Sequence, residues 1–521
     1  MVKIILDGKH LLIRDVNAIV NNPNLKIESA NGAILRVRRS FKFLKNELEL
    51  NKKIIYGVNT GFGPMASHIL GIGQLTQLQE NLVRSHAVGM GNPIEDRFVL
   101  AAMVVRLNTL LKGHSGVSEE LIRQLETYIN LRIIPIIPEH GAVGTSGDLV
   151  QLAHIGLALI GEGQVNYQER KFQTSELLRK LAITPYKLKP KEGLSLINGT
   201  SMMAGVAALL CAEADHLTSL AVHSGALALE LVSGFSDSIS ERLHQFRPQK
   251  GQITVARQLR QILSSSKLLK DRLIFQSRYK SKNDVQLITE AVQEVYSLRC
   301  IAQILGPVYD TLIRTNEVVN IELNSVTDNP IVDIDRKTFL HGGNFHGDYV
   351  ASSVDQLKIA LIKLSILSER RINFFLNQNI NKFFPAFMNL KKIGLNLGLQ
   401  GLQFVATSTT ALNQSLGYPH HLHSISTNGD NQDVVSMGTD AAMLGVKVLE
   451  NAHIVLTIEL ITLAQAVDFL GVERKLSKPS RNIYKQIRKI LPAIKEDREL
   501  GDQLQAVLAA TKKLRLLNNS S

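Results

Sequence analysis

The sequence predicts a mainly α fold, an elongated bundle of long helices with a smaller mixed N-terminal domain. Two observations predict it. Beyond residue 149, apolar residues recur at helical spacing over long stretches, and segments of this kind bury themselves by packing ridges into grooves. Before residue 110 the pattern is cut into short pieces by glycine-dense stretches, which favour loops. The expected division is a mixed domain at 1–110 and a helical bundle at 111–521.

In chain order, Lys53–Tyr56 reads as a strand running into the loop Gly57–Pro64. Gln77–Val88 and Arg97–Leu111 read as helices, and Ile133–Pro138 is extended and apolar. The lysine-rich stretch Tyr167–Glu192 reads as surface loops and short elements. Ser201–Val232 is apolar nearly all round, the mark of a helix buried among others. Pro307 is expected to break or kink Val285–Asn320, because proline lacks an amide donor and crowds the preceding turn. Tyr349–Asn377 and Ser436–Leu470 are two further long helices, the first with Val354, Leu357, Leu361, Leu364 and Leu367 on one face.

Composition narrows the function. Two cysteines, Cys211 and Cys300, make no disulfide framework and suit a reducing, cytoplasmic compartment. The N-terminal apolar run ends at Asp7, too early for a secretory signal. No stretch holds roughly 18 uninterrupted apolar residues, so no membrane partner is expected. The net charge is +13, but the basic residues are dispersed, which argues against a nucleic-acid partner. Pro419-His420-His421-Leu422-His423 is rich in histidine. It lacks a cysteine cluster or a His-Glu-x-x-His spacing, so no metal is expected.

Chemistry concentrates at Gly141-Ala142-Val143-Gly144-Thr145-Ser146-Gly147-Asp148. Three glycines at spacing three allow a tight turn, and Asp148 stands where the N-cap of a helix from Leu149 belongs. Read alone, the stretch is a glycine turn opening a buried helix. An anion-binding loop is the weaker alternative, since the Gly-Lys-Ser/Thr ending is absent. The run Gly-Thr-Ser-Gly-Asp-Leu also resembles the cofactor-forming segment of the aromatic amino-acid ammonia-lyases, a family that includes histidine, phenylalanine and tyrosine lyases and related 2,3-aminomutases. The resemblance implies that Thr145, Ser146 and Gly147 cyclise into a 4-methylidene-imidazol-5-one ring (MIO). The Gly147 nitrogen attacks the Thr145 carbonyl and two waters leave, one of them taking the Ser146 hydroxyl. Threonine replaces the family's usual alanine, but its side chain stays outside the ring.

The resemblance continues along the chain. Tyr56–Gly63 is similar to a mobile loop whose tyrosine removes the β-proton. Tyrosine's ordinary pKa is about 10, so such a base needs its phenolate stabilised. Ser85-His86 matches the pair in histidine lyases and in some bacterial tyrosine lyases, and His86 would give a phenol or imidazole a polar partner. Asn198, in Ile197–Thr200, would hold the ring or the substrate amine. In Gln293–Cys300 the resemblance makes Tyr296 catalytic and Gln293 substrate-binding, on one side of the stretch if it is helical. Arg299 would clamp the carboxylate through its planar fork. Asp328-Asn329-Pro330 matches a further segment. In Gly342–Gly347, Phe345 would pack near the ring, and Asn344 would bind the carboxylate or order the loop. Gln432, in Asn431–Gly438, would reach the site. Gln400–Thr410 looks most like the bacterial tyrosine-lyase branch.

One position departs. Seven residues before Pro419, Leu412 stands where histidine lyases and many relatives carry a glutamate, and a one-residue gap would bring Asn413 there. The resemblance as a whole implies a histidine ammonia-lyase-like fold and a homotetramer with shared sites. It implies elimination of ammonia from a small aromatic amino acid, tyrosine giving coumarate or histidine giving urocanate. A 2,3-aminomutase is the alternative reaction, and a degenerate scaffold without activity is the non-enzymatic one.

Overall fold

A computed structural model describes residues 3–279, 285–514 and 516. It is mainly helical, with 59% of residues in helices. The described strands are two to four residues long, too short to organise a core. Lys3–Leu6 pairs in parallel with Lys26–Ser29. Met90–Pro93 and Pro138–His140 are antiparallel, as are Ile331–Asp333 and Thr338–Leu340. Gln164–Tyr167 sits between Ile134–Pro135 and Arg170–Gln173. With helix Thr174–Lys180, this hairpin supplies the short elements expected after Tyr167.

The chain divides into two compact units. The first contains residues 1–212, 314–355 and 419–445, the second 213–313, 356–418 and 446–521. The position after residue 110, where the sequence suggests a boundary, lies inside the first unit. Helix Asp96–Leu110 explains this. It is buried from Phe98 to Leu110 and therefore needs neighbours on every side rather than an edge. The second unit has its own core, in which Leu227, Phe375, Phe384, Val455, Leu463 and Ile494 are buried together.

The long helices lie where apolar spacing put them, at Ser201–Leu231, Asp348–Leu376 and Gly438–Leu470. The first and last are long and apolar enough to cross a membrane, yet 72% and 78% of their most apolar windows are buried within the chain. That is the signature of core helices. Three expectations need correction. Helix Ile301–Glu322 runs through Pro307, so the proline does not break it. Gly306 and Gly251 leave no room for a Cβ, so this helix and Lys250–Leu263 meet backbone to backbone, which holds the helix across one missing amide. Gln293 precedes the single helical turn Tyr296–Arg299, so it shares no helix face with Tyr296. Lys53–Tyr56 is not a strand. Ile55 N–H donates to Asn59 Oδ1 at 2.7 Å, and the amides of Val58 and Asn59 return to Ile55 O at 3.1 and 3.2 Å. A local turn has taken the groups that a ladder would need. Ile55 and Val58 are buried with Leu44, Leu48, Leu75, Val332 and Phe339, which anchors the chain on both sides of Tyr56.

Candidate active site

The glycine-rich segment is a turn built under constraint. Gly144 and Gly147 bridge each other across Thr145 and Ser146. Ser146 is left-handed, with φ +51°, a conformation that costs a non-glycine residue about 1–3 kcal/mol and persists only where the surroundings impose it. Here the neighbouring backbone imposes it. Gly199 N–H donates to Ser146 O at 3.0 Å, and Asp148 N–H donates to Gly199 O at 2.8 Å. Gly147 is thereby pressed flat on Gly199, and a Cβ on it would overlap the Gly199 carbonyl. Residue types and geometry both suit an internal cyclisation. Gly147 has no side chain to screen its nitrogen, and Ser146 brings its hydroxyl to within 3.4 Å of Gln432 Nε2.

Asp148 has a different task from the one its position suggests. It precedes helix Leu149–Leu159, but its side chain does not cap that helix. Instead Oδ2 accepts the Met202 and Met203 amides at 2.8 and 2.9 Å, and Oδ1 accepts the Thr439 hydroxyl at 2.7 Å. The carboxylate therefore caps the long helix Ser201–Leu231, whose exposed amides and dipole favour an anion. Burial raises its pKa to about 6, against the opposing pull of the Thr439 hydroxyl, the two amides and Arg106. The folded state thus favours the protonated form. The contribution is fully present below the ordinary carboxyl pKa of 3.8 and is lost as pH rises through about 6. Asp148→Asn removes the charge and keeps an acceptor for the two amides. Relative to wild type, the variant is expected to gain stability on the order of 3 kcal/mol between pH 4 and 7. Denaturation midpoints of both proteins across that range check it.

Arg106 is the buried cation of the site, with 0% exposure. Nε donates to Ser201 Oγ at 2.9 Å, and Nη1 donates to the carbonyls of Ser195 and Asn198 at 3.1 and 3.0 Å. Burial lowers its pKa to about 10, offset by Asp328 and Asp148, so it stays charged at neutral pH. Its fork fixes the turn that presents Asn198. Among the described residues, the buried Asn198 Oδ1 has no hydrogen-bond partner.

These elements surround a cavity of about 1110 Å³. Tyr56, His86, Thr145 and Ser146 line it together with Asn198, Phe345 and Gln432. Tyr56 Oη accepts the Gly63 amide at 3.2 Å, and its ring meets Phe62 edge-on at 6.4 Å. His86 Nδ1 lies 2.9 Å from Leu82 O. Ser85 Oγ lies 3.0 Å from the same nitrogen. With the proton on Nδ1, that nitrogen donates to the carbonyl and Nε2 is an acceptor; with the proton on Nε2, Ser85 donates to Nδ1. Asn344 lines a neighbouring hollow, with Nδ2 3.5 Å from Val326 O. Gln293, Tyr296 and Arg299 belong to the second unit and form a cluster of their own. There the Arg299 guanidinium donates to Gln293 Oε1 and lies 4.8 Å from the centre of the Tyr296 ring.

Sequence reasoning passed over Gly63, Phe62 and Arg106. Arg106 carried a readable signal, the one charge beyond the first turn of a largely apolar helix. Gly63 carried none, because its role depends on a backbone amide. Asn413, the alternative to Leu412, lies on helix Gln400–Ser415. It is fully buried, donates to Val448 O at 3.2 Å and accepts from Asn451 at 2.8 Å, while Leu412 is 47% exposed. In the histidine tract, Asp355 accepts both the amide and Nδ1–H of His421, at 2.8 and 2.7 Å.

A family model described as aromatic amino acid lyase matches residues 11–489. A histidine ammonia-lyase of Staphylococcus aureus is 38% identical over 504 residues, 96% of each chain. A tyrosine 2,3-aminomutase of Chondromyces crocatus is 40% identical over 460 residues, 87% of this chain and 86% of its own. The crystal structure of a tyrosine aminomutase from Streptomyces globisporus superposes with a TM-score of 0.94 at 35% identity, covering 98% of this chain and 97% of that one.

Proposed function

This chain belongs to the aromatic amino acid lyase family, and from that membership we propose that it eliminates ammonia from L-tyrosine to give coumarate. The enzyme class is carbon–nitrogen lyase. The observation that supports the reading is that Tyr56, the Ser146 turn and His86 line one cavity. A substrate phenol would donate its hydrogen to His86 Nε2. Histidine, giving urocanate, is the second reading, because an imidazole N–H would meet the same acceptor. The loss of the glutamate at Leu412 weighs against it.

Thr145, Ser146 and Gly147 fit the MIO ring, which supplies an electrophilic carbon that turns the substrate amine into a good leaving group. The chain's own residues do the rest. Tyr56 takes the β-proton, its oxygen held by the Gly63 amide. Asn198 Oδ1 accepts from the amine, and Arg106 holds the turn that presents it. Phe345 packs beside the ring. Gln293, Tyr296 and Arg299 would serve the carboxylate end of a site shared between copies in a homotetramer. In support, Arg299 is already braced by Gln293, and Tyr296 is 69% exposed. Asn344 would order its loop or join that clamp.

Incubation with tyrosine, histidine and phenylalanine, followed by ultraviolet absorbance and product analysis, tests the reading. Coumarate and ammonia in equal amounts from tyrosine are expected. An amine-bearing β-isomer as the main product would make the chain an aminomutase. Absence of turnover with all three would favour the scaffold.

A further inference from the structure

Helix Leu75–His86 carries His86 at its end, and near its start it carries Gln79, which has 0% exposure and no part in the reaction above. Both halves of the Gln79 amide are engaged. Nε2 donates to Gly57 O, the carbonyl next after Tyr56, at 3.2 Å. Oε1 accepts Leu194 N–H at 2.9 Å, and Leu194 O accepts Asn198 N–H at 2.9 Å. One side chain therefore ties the residue after the base to the helical turn that ends at Asn198.

The backbone is shaped around this tie. A Cβ on Gly193 would come within 2.5 Å of Gln79 O, so helix Glu192–Ile197 rests directly on the helix carrying Gln79. Gly57 has φ +66°, and a Cβ there would lie 2.8 Å from both Leu194 Cδ2 and Phe62 Cε1. The other hydrogen bonds recorded for the backbone around Gly57 close within the loop. Gly57 N–H donates to Thr60 Oγ1 at 2.9 Å, Asn59 Nδ2 to Lys53 O at 2.9 Å, and Leu70 N–H to Asn59 O at 2.9 Å. Such bonds shape the loop without locating it. Gln79 reaches it from a different element.

We propose that Gln79 is a positioning residue that sets Tyr56 against Asn198, an inference that rests on the elimination reading above. An amide that merely had to be satisfied in a core needs no particular partners. This one divides its donor and acceptor between the two segments whose separation decides whether base and amine meet the same substrate. Misplacing a catalytic group by about 1 Å costs on the order of 10²-fold in rate.

Gln79→Met keeps the volume and removes both bonds. The expected result is a fall in kcat of roughly 10²-fold, with KM and the mass of the Thr145–Gly147 peptide little changed; the thermal midpoint also falls, because Gly57 O and Leu194 N–H stay buried without their partner. In a Tyr56→Phe background the same substitution should have almost no further effect, since two residues acting through one group are not additive. A purely structural role would multiply the two losses. Unchanged kcat, or a full additional loss on Tyr56→Phe, overturns the proposal. Hydrogen exchange at the Gly57–Gly61 amides gives a readout that needs no turnover. It should quicken in Gln79→Met while exchange at Gly141–Gly147 stays constant, and equal exchange at Gly57–Gly61 also overturns the proposal. If the wild-type chain eliminates nothing, the functional reading fails, and the exchange experiment still decides whether Gln79 locates the loop.

Discussion

Ser146→Ala is expected to leave a folded protein that has lost elimination by roughly 10⁴-fold or more, about 5.5 kcal/mol of transition-state stabilisation at 1.36 kcal/mol per tenfold. The loss comes from covalent chemistry. Without the serine hydroxyl the Thr145–Gly147 peptide cannot shed both waters, no electrophilic carbon arises, and the amine remains a poor leaving group. The fold should survive, because the constraint on the turn is in the backbone. The bond from Gly199 N–H to Ser146 O and that from Asp148 N–H to Gly199 O do not involve the side chain. Alanine and serine pay a similar cost at φ +51°. The hydroxyl's contact with Gln432 Nε2 is long, at 3.4 Å, so its removal costs little stability. Peptide mass and turnover, measured on the same preparation, check the expectation. A wild-type peptide lighter by two waters beside an unmodified variant peptide is the supporting result. A variant with wild-type activity would exclude the mechanism.

What could be read in advance follows the range of the forces involved. Helices such as Ser201–Leu231 and Asp348–Leu376 announce themselves because burial of one face repeats every few residues. The turn at Gly144–Gly147 was legible for a related reason: its glycines and serine lie close together in the chain. Residues that act across the fold were not legible. Asp148 follows the local rule for an N-cap, yet it caps a helix that begins at Ser201, because a fully buried carboxylate bonds to whatever donors the packing brings. Lys53–Tyr56 has strand-like residues but pairs with no described strand, and the Asn59 side chain takes the Lys53 carbonyl and the Ile55 amide. Gln79 lies within the expected helix Gln77–Val88, yet nothing local distinguishes its amide from a solvated one. Leu412 was visible as a departure. The bonds of Asn413 to Val448 and Asn451 were not visible, because both partners come from another helix.

Tyr56→Phe is the sharper test of the site, because it removes one atom that the fold does not need. Phenylalanine keeps the edge-on contact with Phe62. The flanking Ile55 and Val58 remain buried, and the Gln79 bond to Gly57 O is a backbone bond that the substitution leaves alone. The Gly63 amide loses its acceptor, but Gly63 is only part-buried and water can take the place. Stability should therefore change by less than about 1 kcal/mol. Ring formation should proceed, since Tyr56 has no role in the Thr145–Gly147 cyclisation. The elimination itself should slow by about 10²–10⁴-fold, the usual contribution of a positioned general base, and the loss should appear in kcat with KM nearly constant. This combination separates the base from its alternatives. A residue that only bound substrate would raise KM, and one that only shaped the turn would lower the yield of dehydrated peptide. A variant that keeps the dehydrated peptide and the wild-type kcat would show that the β-proton leaves to another group. The search would then turn to His341 and His346, the other titratable side chains besides His86 and Asp433 that line the same cavity.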